Sequence, residues 1–305
     1  MTLAPIALFA YNRPQHLQQV LTALANNKEA EESLLYIYCD GAKVGASTET
    51  LEKIKEVRQI ANSEHRFHKV IVHEQRQNKG LANSIIDGVS EVVNKHDRVI
   101  VLEDDIVTSP YFLKYMNDGL QYYNNDSRVA SIHGYSYPVD GVLPETFFLR
   151  GADCWSWATW KRSWSDFNPD GKSLLSEIYR QKLDRIFDYN GALSFTSMLE
   201  DQIKEKNDSW AVRWHASVFL LNEFTLYPGR SLVRNIGNDA SGTHCSSNDD
   251  FDVILATEPV RVGGVYVGDS AIGRKEFRRY FQSISPKPSL LKSLVHRLRR
   301  FVKKD

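Results

Sequence analysis

The chain lacks most of what would assign it quickly to a common class. Its three cysteines, Cys39, Cys154 and Cys245, are scattered with no CxxC spacing, which speaks against a disulfide framework or a structural zinc site and suits a reducing compartment. Charge of one sign is also missing: 38 Lys and Arg balance 38 Asp and Glu, so no global field draws the protein to nucleic acid and no nucleic-acid partner is expected. There is no long apolar run. The one in "MTLAPIALFAYNRP" stops at Asn12-Arg13-Pro14 and has no basic segment before it, too short for a signal peptide or a span, so cytoplasmic residence is the expectation. No GxGxxG opens the first helix, which sets aside a dinucleotide-binding dehydrogenase.

What the sequence does have is alternation. Apolar runs at Ile6 to Tyr11, Leu34 to Cys39, "KVIVHE" and "RVIVLED" read as strands, and each is followed by a segment of helical period. Pro14 opens the first helix, at a position where its missing N–H is harmless. The second, "TETLEKIKEVRQIA", turns Leu51, Ile54, Val57 and Ile60 inward. The third is "LANSIIDGVSEVVNK". Near-continuous apolar strands joined by helices predict an α/β fold with a mostly parallel sheet covered on both faces. Regularity fades after Ser131, where a strand at "RVASIHGY", a Trp-rich block and helices near 192–206 and 209–222 are expected.

The fourth strand ends in Glu103, Asp104 and Asp105. Ligands of an open parallel sheet sit beyond the carboxyl ends of its strands. Adjacent carboxylates repel unless something cationic lies between them, and Mg²⁺ or Mn²⁺ favours oxygen ligands of this kind. The competing reading is a solvated turn, or acids set against the dipole of the following helical segment.

Together, "IALFAYNRPQHLQQVLTAL", "YIYCDGA", "NKGLANSI" and "VIVLEDDIVTSPYFLKYM" resemble a nucleotide-sugar glycosyltransferase of the GT-A (Rossmann-like) fold. The similarity is greatest to the N-acetylglucosaminyltransferase I type and its bacterial relatives in surface-polysaccharide assembly. The motifs lie in order over roughly the first 130 residues, with further matches to about residue 244. The resemblance implies that Ala10, Tyr11 and Arg13 line the nucleotide base and phosphates, that Asp40 accepts a hydrogen bond from base or ribose, and that Lys79 and Gly80 contact base and diphosphate. It places Glu103 and Asp104 toward sugar and ribose, and Asp105 on a Mn²⁺ or Mg²⁺ ion. It divides the chain into a nucleotide-sugar-binding subdomain (1–133), an acceptor-binding and catalytic subdomain (134–288) and a C-terminal helix (289–305). A hexosyl- or N-acetylhexosaminyltransferase, inverting and favouring a UDP-sugar, is the implied activity.

Inversion needs a base for the acceptor hydroxyl. Asp208, in "KNDSWAVRWHASVFLL", precedes a helix whose dipole would hold it ionised. Its Asp-x-Trp resembles the family's base segment, although Ser209 stands where the family has a second acid; a plain N-cap is the alternative. Glu200-Asp201 is the rival pair. In "GADCWSWATWKRSWSDF", Trp157, Trp160 and Trp164 fall at helical spacing and suit a core, while Trp155 or Trp157 could stack on a sugar face; Trp157 is taken as the donor-sugar wall. The resemblance makes His244 a further metal ligand, with Gly237 and Gly242 letting that loop fold over the donor. His16, His133 and His215 have no partner spacing and read as structural. The final "SLLKSLVHRLRRFVKKD" forms a basic amphipathic helix over 289–305, which suits peripheral contact with the cytoplasmic face of the inner membrane and a saccharide or lipid-linked saccharide acceptor; packing on the domain is the alternative. Two other functions remain open: a sugar nucleotidyltransferase, disfavoured because "AYNRPQHL" has no glycine, and a non-catalytic carbohydrate-binding protein.

Overall fold

The computed structural model describes residues 2–237 and 250–284. Its first half follows the alternation. Strand β1 (Ile6–Ala10) leads to helix α1 (Pro14–Ala25), β2 (Leu34–Cys39) to α2 (Thr48–Ala61), β3 (Lys69–Glu74) to α3 (Leu81–His96), and β4 (Arg98–Glu103) to a short β5 (Ile106–Thr108) and α4 (Phe112–Tyr122). Pro14 occupies the first turn of α1, which buries Leu17, Val20, Leu21 and Leu24. In α2, Ile54, Val57 and Ala61 are buried. Leu51, expected inward, is exposed.

The second half adds β6 (Val129–His133), β7 (Thr146–Arg150), β8 (Trp157–Trp160), α5 (Lys161–Trp164), α6 (Gly171–Arg180), α7 (Asp184–Phe187), α8 (Phe195–Ile203), α9 (Trp210–Leu220), β9 (Phe224–Pro228), β10 (Val233–Asn235) and α10 (Ala271–Ile284). Both halves share one eight-stranded sheet of order β3-β2-β1-β4-β8-β6-β9-β7. Strands β3, β2, β1 and β4 run parallel; β2, β1 and β4 are buried on both faces, as such strands should be, while β3 at the sheet edge is only half-buried. Strand β8 enters antiparallel between β4 and β6.

One face of the sheet packs on α1, α2 and α4 through Leu8, Ile37, Ile100, Leu17 and Met116. The other packs on α3 and α9 through Phe9, Tyr38, Val101, Val89 and Trp214. A separate two-stranded ladder pairs β10 with β5, with Asn235 opposite Ile106. That ladder brings the chain beyond Asn235 alongside the end of β4. Among the described residues no helix is long and apolar enough to cross a membrane. The 289–305 segment lies outside the described residues.

Candidate active site

Strands β1, β2 and β4 end side by side: Ala10 is opposite Cys39, and Phe9 is opposite Glu103. The residues that follow therefore share one rim. The turn after β1 carries Tyr11 and Arg13. The Tyr11 N–H donates to Asp104 Oδ2 (3.2 Å), and Arg13 Nη1 donates to Asp105 Oδ2 (2.9 Å). Three neighbouring carboxylates thus face one arginine. Burial, with repulsion from Asp105 and Asp104, pushes the Glu103 carboxyl up to about 8. Burial and Asp105 push Asp104 up to about 7. Asp105 is raised chiefly by burial, against the pull of Arg13. Among the described residues the acids here outnumber the cations they meet.

The chain entering from β10 covers this pair. Ile236 N–H donates to the Asp105 carbonyl (2.8 Å), and a Cβ on Gly237 would collide with Asp105 Oδ2 and crowd Arg13 Nη1. Glycine is required there by close approach. His16, one turn after Arg13, places Nε2 3.3 Å from the Ile236 carbonyl and is near enough to help lower the Asp105 pKa. It belongs to the rim, which its lack of partner spacing in the sequence concealed. The i, i+3 relation to Arg13 at a helix start is the signal that could have found it.

Asp40 plays a different part from the one expected. Oδ1 accepts from the N–H of Gly41 and Lys79 (both 2.8 Å), and Oδ2 accepts from Gly80 N–H (3.0 Å) and Asn78 Nδ2 (2.9 Å). Four donors occupy the carboxylate, so it holds the turn before α3 instead of offering a free acceptor. Gly80 caps that helix at φ +77°, ψ 157°, a conformation that strains any residue with a Cβ. The Lys79 ammonium turns to Asp87 on α3 (2.8 Å).

Trp157 is corrected as well. It lies in β8, not in a helix, and is fully buried. It packs against Trp210 (ring centroids 5.5 Å), Trp164 (5.6 Å) and Trp214 (5.8 Å), so it is core and presents no face to a sugar. Trp160, three residues on in a strand, points to the opposite face and donates its indole N–H to the Leu120 carbonyl (3.1 Å). Trp155 is only partly buried.

Because Trp157 is opposite Val101 near the end of β4, its contact with Trp210 brings the start of α9 toward the same side of the sheet. Ser209, not Asp208, caps that helix, its Oγ accepting from Val212 N–H (3.3 Å). Asp208 is 67% exposed and pairs with Arg213 (3.3 Å). Glu200 and Asp201 pair with Lys204 (3.7 Å) and Lys206 (3.2 Å). His244 and Gly242 lie outside the described residues. Among the described residues no three His, Cys, Asp or Glu side chains gather to hold a metal ion by themselves. An all-oxygen acidic rim with too little positive charge nevertheless fits a hard divalent cation whose remaining ligands come from a bound diphosphate.

A sequence profile of glycosyl transferase family 2 matches residues 6–176. The chain belongs to this family. Its sheet is of the GT-A type. No curated protein matches the chain. Similar solved structures include the mannosyltransferase PcManGT from Pyrobaculum calidifontis, in complex with GDP-Man and Mn²⁺, at 11% identity and a TM-score of 0.32 over 45% of this chain and 36% of that one. TarS of S. aureus is similar at 12% identity and a TM-score of 0.30, over 46% of this chain and 23% of that one. A shorter TarS in complex with UDP-GlcNAc gives 12% and 0.30, over 46% of this chain and 37% of that one. The chain thus spans well under half of each of these relatives.

Proposed function

We propose that this family 2 protein transfers a sugar, a hexose or N-acetylhexosamine, from a nucleotide diphosphate donor, with UDP favoured, to a saccharide or lipid-linked saccharide acceptor in surface-polysaccharide assembly. The observation that carries the reading is the rim itself: three carboxylates at the end of β4, Asp104 bonded by the Tyr11 N–H and Asp105 by Arg13, beside the strand ends of β1 and β2. Ala10, Tyr11 and Arg13 line the nucleotide and its phosphates. Lys79 and Gly80 act through the backbone turn that Asp40 organises. Glu103 and Asp104 face sugar and ribose.

Asp105, with His244 and the donor's own oxygens, would hold Mn²⁺ or Mg²⁺. Such an ion, when bound, neutralises charge building on the departing nucleotide diphosphate. The acceptor oxygen forms its bond to the anomeric carbon as the carbon–phosphate oxygen bond breaks, with inversion. Asp208 receives the hydroxyl proton. Its exposure lets it meet an acceptor. The basic 289–305 stretch would place this chemistry at the cytoplasmic face of the membrane; deletion of those residues with unchanged membrane recovery would refute that part.

Thermal shift with UDP-, GDP- and dTDP-sugars, with and without Mn²⁺, tests the reading on wild type and Asp105→Ala. A Mn²⁺-dependent shift with one nucleotide class, lost in Asp105→Ala, is expected. No shift with any nucleotide would overturn it.

A further inference from the structure

Beside the acidic rim stands a carboxylate that the reading above leaves unused. Residues 151–156 link β7 to β8. In β8, Trp157 is opposite Val101 of β4 and His133 of β6. Beyond Trp157 the chain stays beside β6, Gly134 N–H donating to the Ser156 carbonyl (2.9 Å), and Ser156 then turns at φ +60°, which sets Trp155 beside the residues that follow β6. The ring contact of Trp155 with Tyr135 (centroids 4.8 Å, 79° between planes) agrees with that placement. Phe251 closes on the same indole from another side (5.3 Å, 83°). The charges of Glu103 and Asp105 both reach the Cys154 thiol. The loop therefore borders the acids.

Asp153 is fixed in this loop. Its Oδ2 accepts from the Tyr137 hydroxyl (2.9 Å), and its Oδ1 accepts from Cys154 N–H (2.8 Å). Tyr137 is itself locked by edge-to-face contacts with Tyr135 (5.1 Å), Phe277 and Phe281 (both 4.8 Å). His133 Nε2 lies 4.0 Å from Asp153 Oδ1. It adds little charge beside the carboxylate, because full burial favours the neutral ring, against the pull of Asp153 and of the Nδ1 bond to the Tyr135 carbonyl (3.1 Å). Among the described residues no lysine or arginine forms an ion pair with Asp153. A carboxylate offers about four lone-pair directions. Two are used, and the side chain remains 23% exposed.

We propose that Asp153, held by Tyr137 and flanked by Trp155, is a specificity-determining residue that accepts hydrogen bonds from hydroxyls of the transferred sugar. This rests on the nucleotide-sugar reading, since it is the diphosphate on the acidic rim that brings the attached sugar to the neighbouring loop. An ionised carboxylate can only accept. It selects hexoses presenting O–H or N–H groups on that side, and it rejects a donor sugar carrying its own carboxylate by like-charge repulsion.

Calorimetric titration of the full chain in MnCl₂ decides the matter, with UDP, GDP, UDP-glucose, UDP-N-acetylglucosamine, GDP-mannose and UDP-glucuronate as probes. Wild type should bind one neutral sugar donor more tightly than the matching free nucleotide and discriminate against the glucuronate. In Asp153→Asn the free nucleotide should bind as in wild type, while the preference for the sugar donor falls about 10- to 100-fold, as for a lost charged hydrogen bond, and the glucuronate is admitted. Tyr137→Phe, which keeps the packed ring, should move the same way by a smaller factor and decides the case if Asp153→Asn does not fold. An unchanged sugar preference in Asp153→Asn and Tyr137→Phe overturns the assignment, as does a raised acceptor KM with donor binding intact, which would place Asp153 on the acceptor side. Failure of wild type to bind any nucleotide overturns the underlying reading as well.

Discussion

Arg13 and Asp105, 92 residues apart in the chain, meet in an ion pair of 2.9 Å that joins the end of β1 to the end of β4 beneath Gly237. Among the described residues the guanidinium is the main cation restraining three crowded acids, so removing it leaves much of their repulsion unopposed. Arg13→Ala should weaken binding of the free nucleotide diphosphate by about tenfold or more, in line with loss of a charge-assisted contact. Equal affinity of Arg13→Ala and wild type, by calorimetry, would remove Arg13 from the phosphate site.

The raised carboxyls make a pH prediction with a definite sign. The folded, cation-free protein keeps protons on Glu103 and Asp104 up to about 8 and about 7, whereas the unfolded chain releases them in the ordinary carboxylate range. Their contribution to stability is therefore full at acid pH and lost as pH rises through those values. Glu103 and Asp104 flank Asp105, the proposed metal ligand, so the negative charge they gain on losing those protons strengthens cation binding over that window. The thermal shift produced by Mn²⁺ should grow from about pH 6 to about pH 8.5. A shift that is flat or falls across that range would show that the charge of these carboxyls does not act on the ion.

The glycines at the rim separate two kinds of strain. Gly80 holds φ +77° with open space around its missing Cβ, while Gly237 lacks room because Asp105 and Arg13 occupy it. Gly80→Ala should cost roughly 1–2 kcal/mol from backbone strain alone and disturb the turn on Asp40. Gly237→Ala should cost roughly 1–3 kcal/mol through overpacking and should also blunt the response to Mn²⁺. Urea unfolding with and without the ion distinguishes them; identical behaviour of the two variants would contradict the geometry.

Much of the first half was legible because strands of a parallel sheet buried on both faces read as apolar runs, and helices between them repeat at their own period. The acids at the end of β4 stood out for the same reason: they break such a run. What was not legible is non-local. Strand β8 enters antiparallel between β4 and β6, and nothing near Trp157 in sequence announces partners so far away, so a strand and a short helix read as one helical aromatic stripe. The saturation of Asp40 depends on a turn 38 to 40 residues later. Asp153 passed unnoticed because it sits at the head of a tryptophan-rich block, whereas the hydroxyl that fixes it comes from Tyr137, 16 residues earlier.

Asp208 and Ser209 provide the sharpest test of the proposed chemistry, because adjacent residues have separable jobs. Ser209 supplies the helix cap, so Ser209→Ala should lower stability by about 1 kcal/mol and leave the chemical step largely intact. Asp208 makes no cap bond and is open to an acceptor, so Asp208→Asn should leave stability and donor affinity near wild type while reducing kcat by about 10²-fold or more, the scale of a lost general base. The pattern matters more than either number. If Asp208→Asn turns over normally while Asp201→Asn is slow with stability unchanged, the base lies on α8; if both turn over normally, neither carboxylate takes the proton.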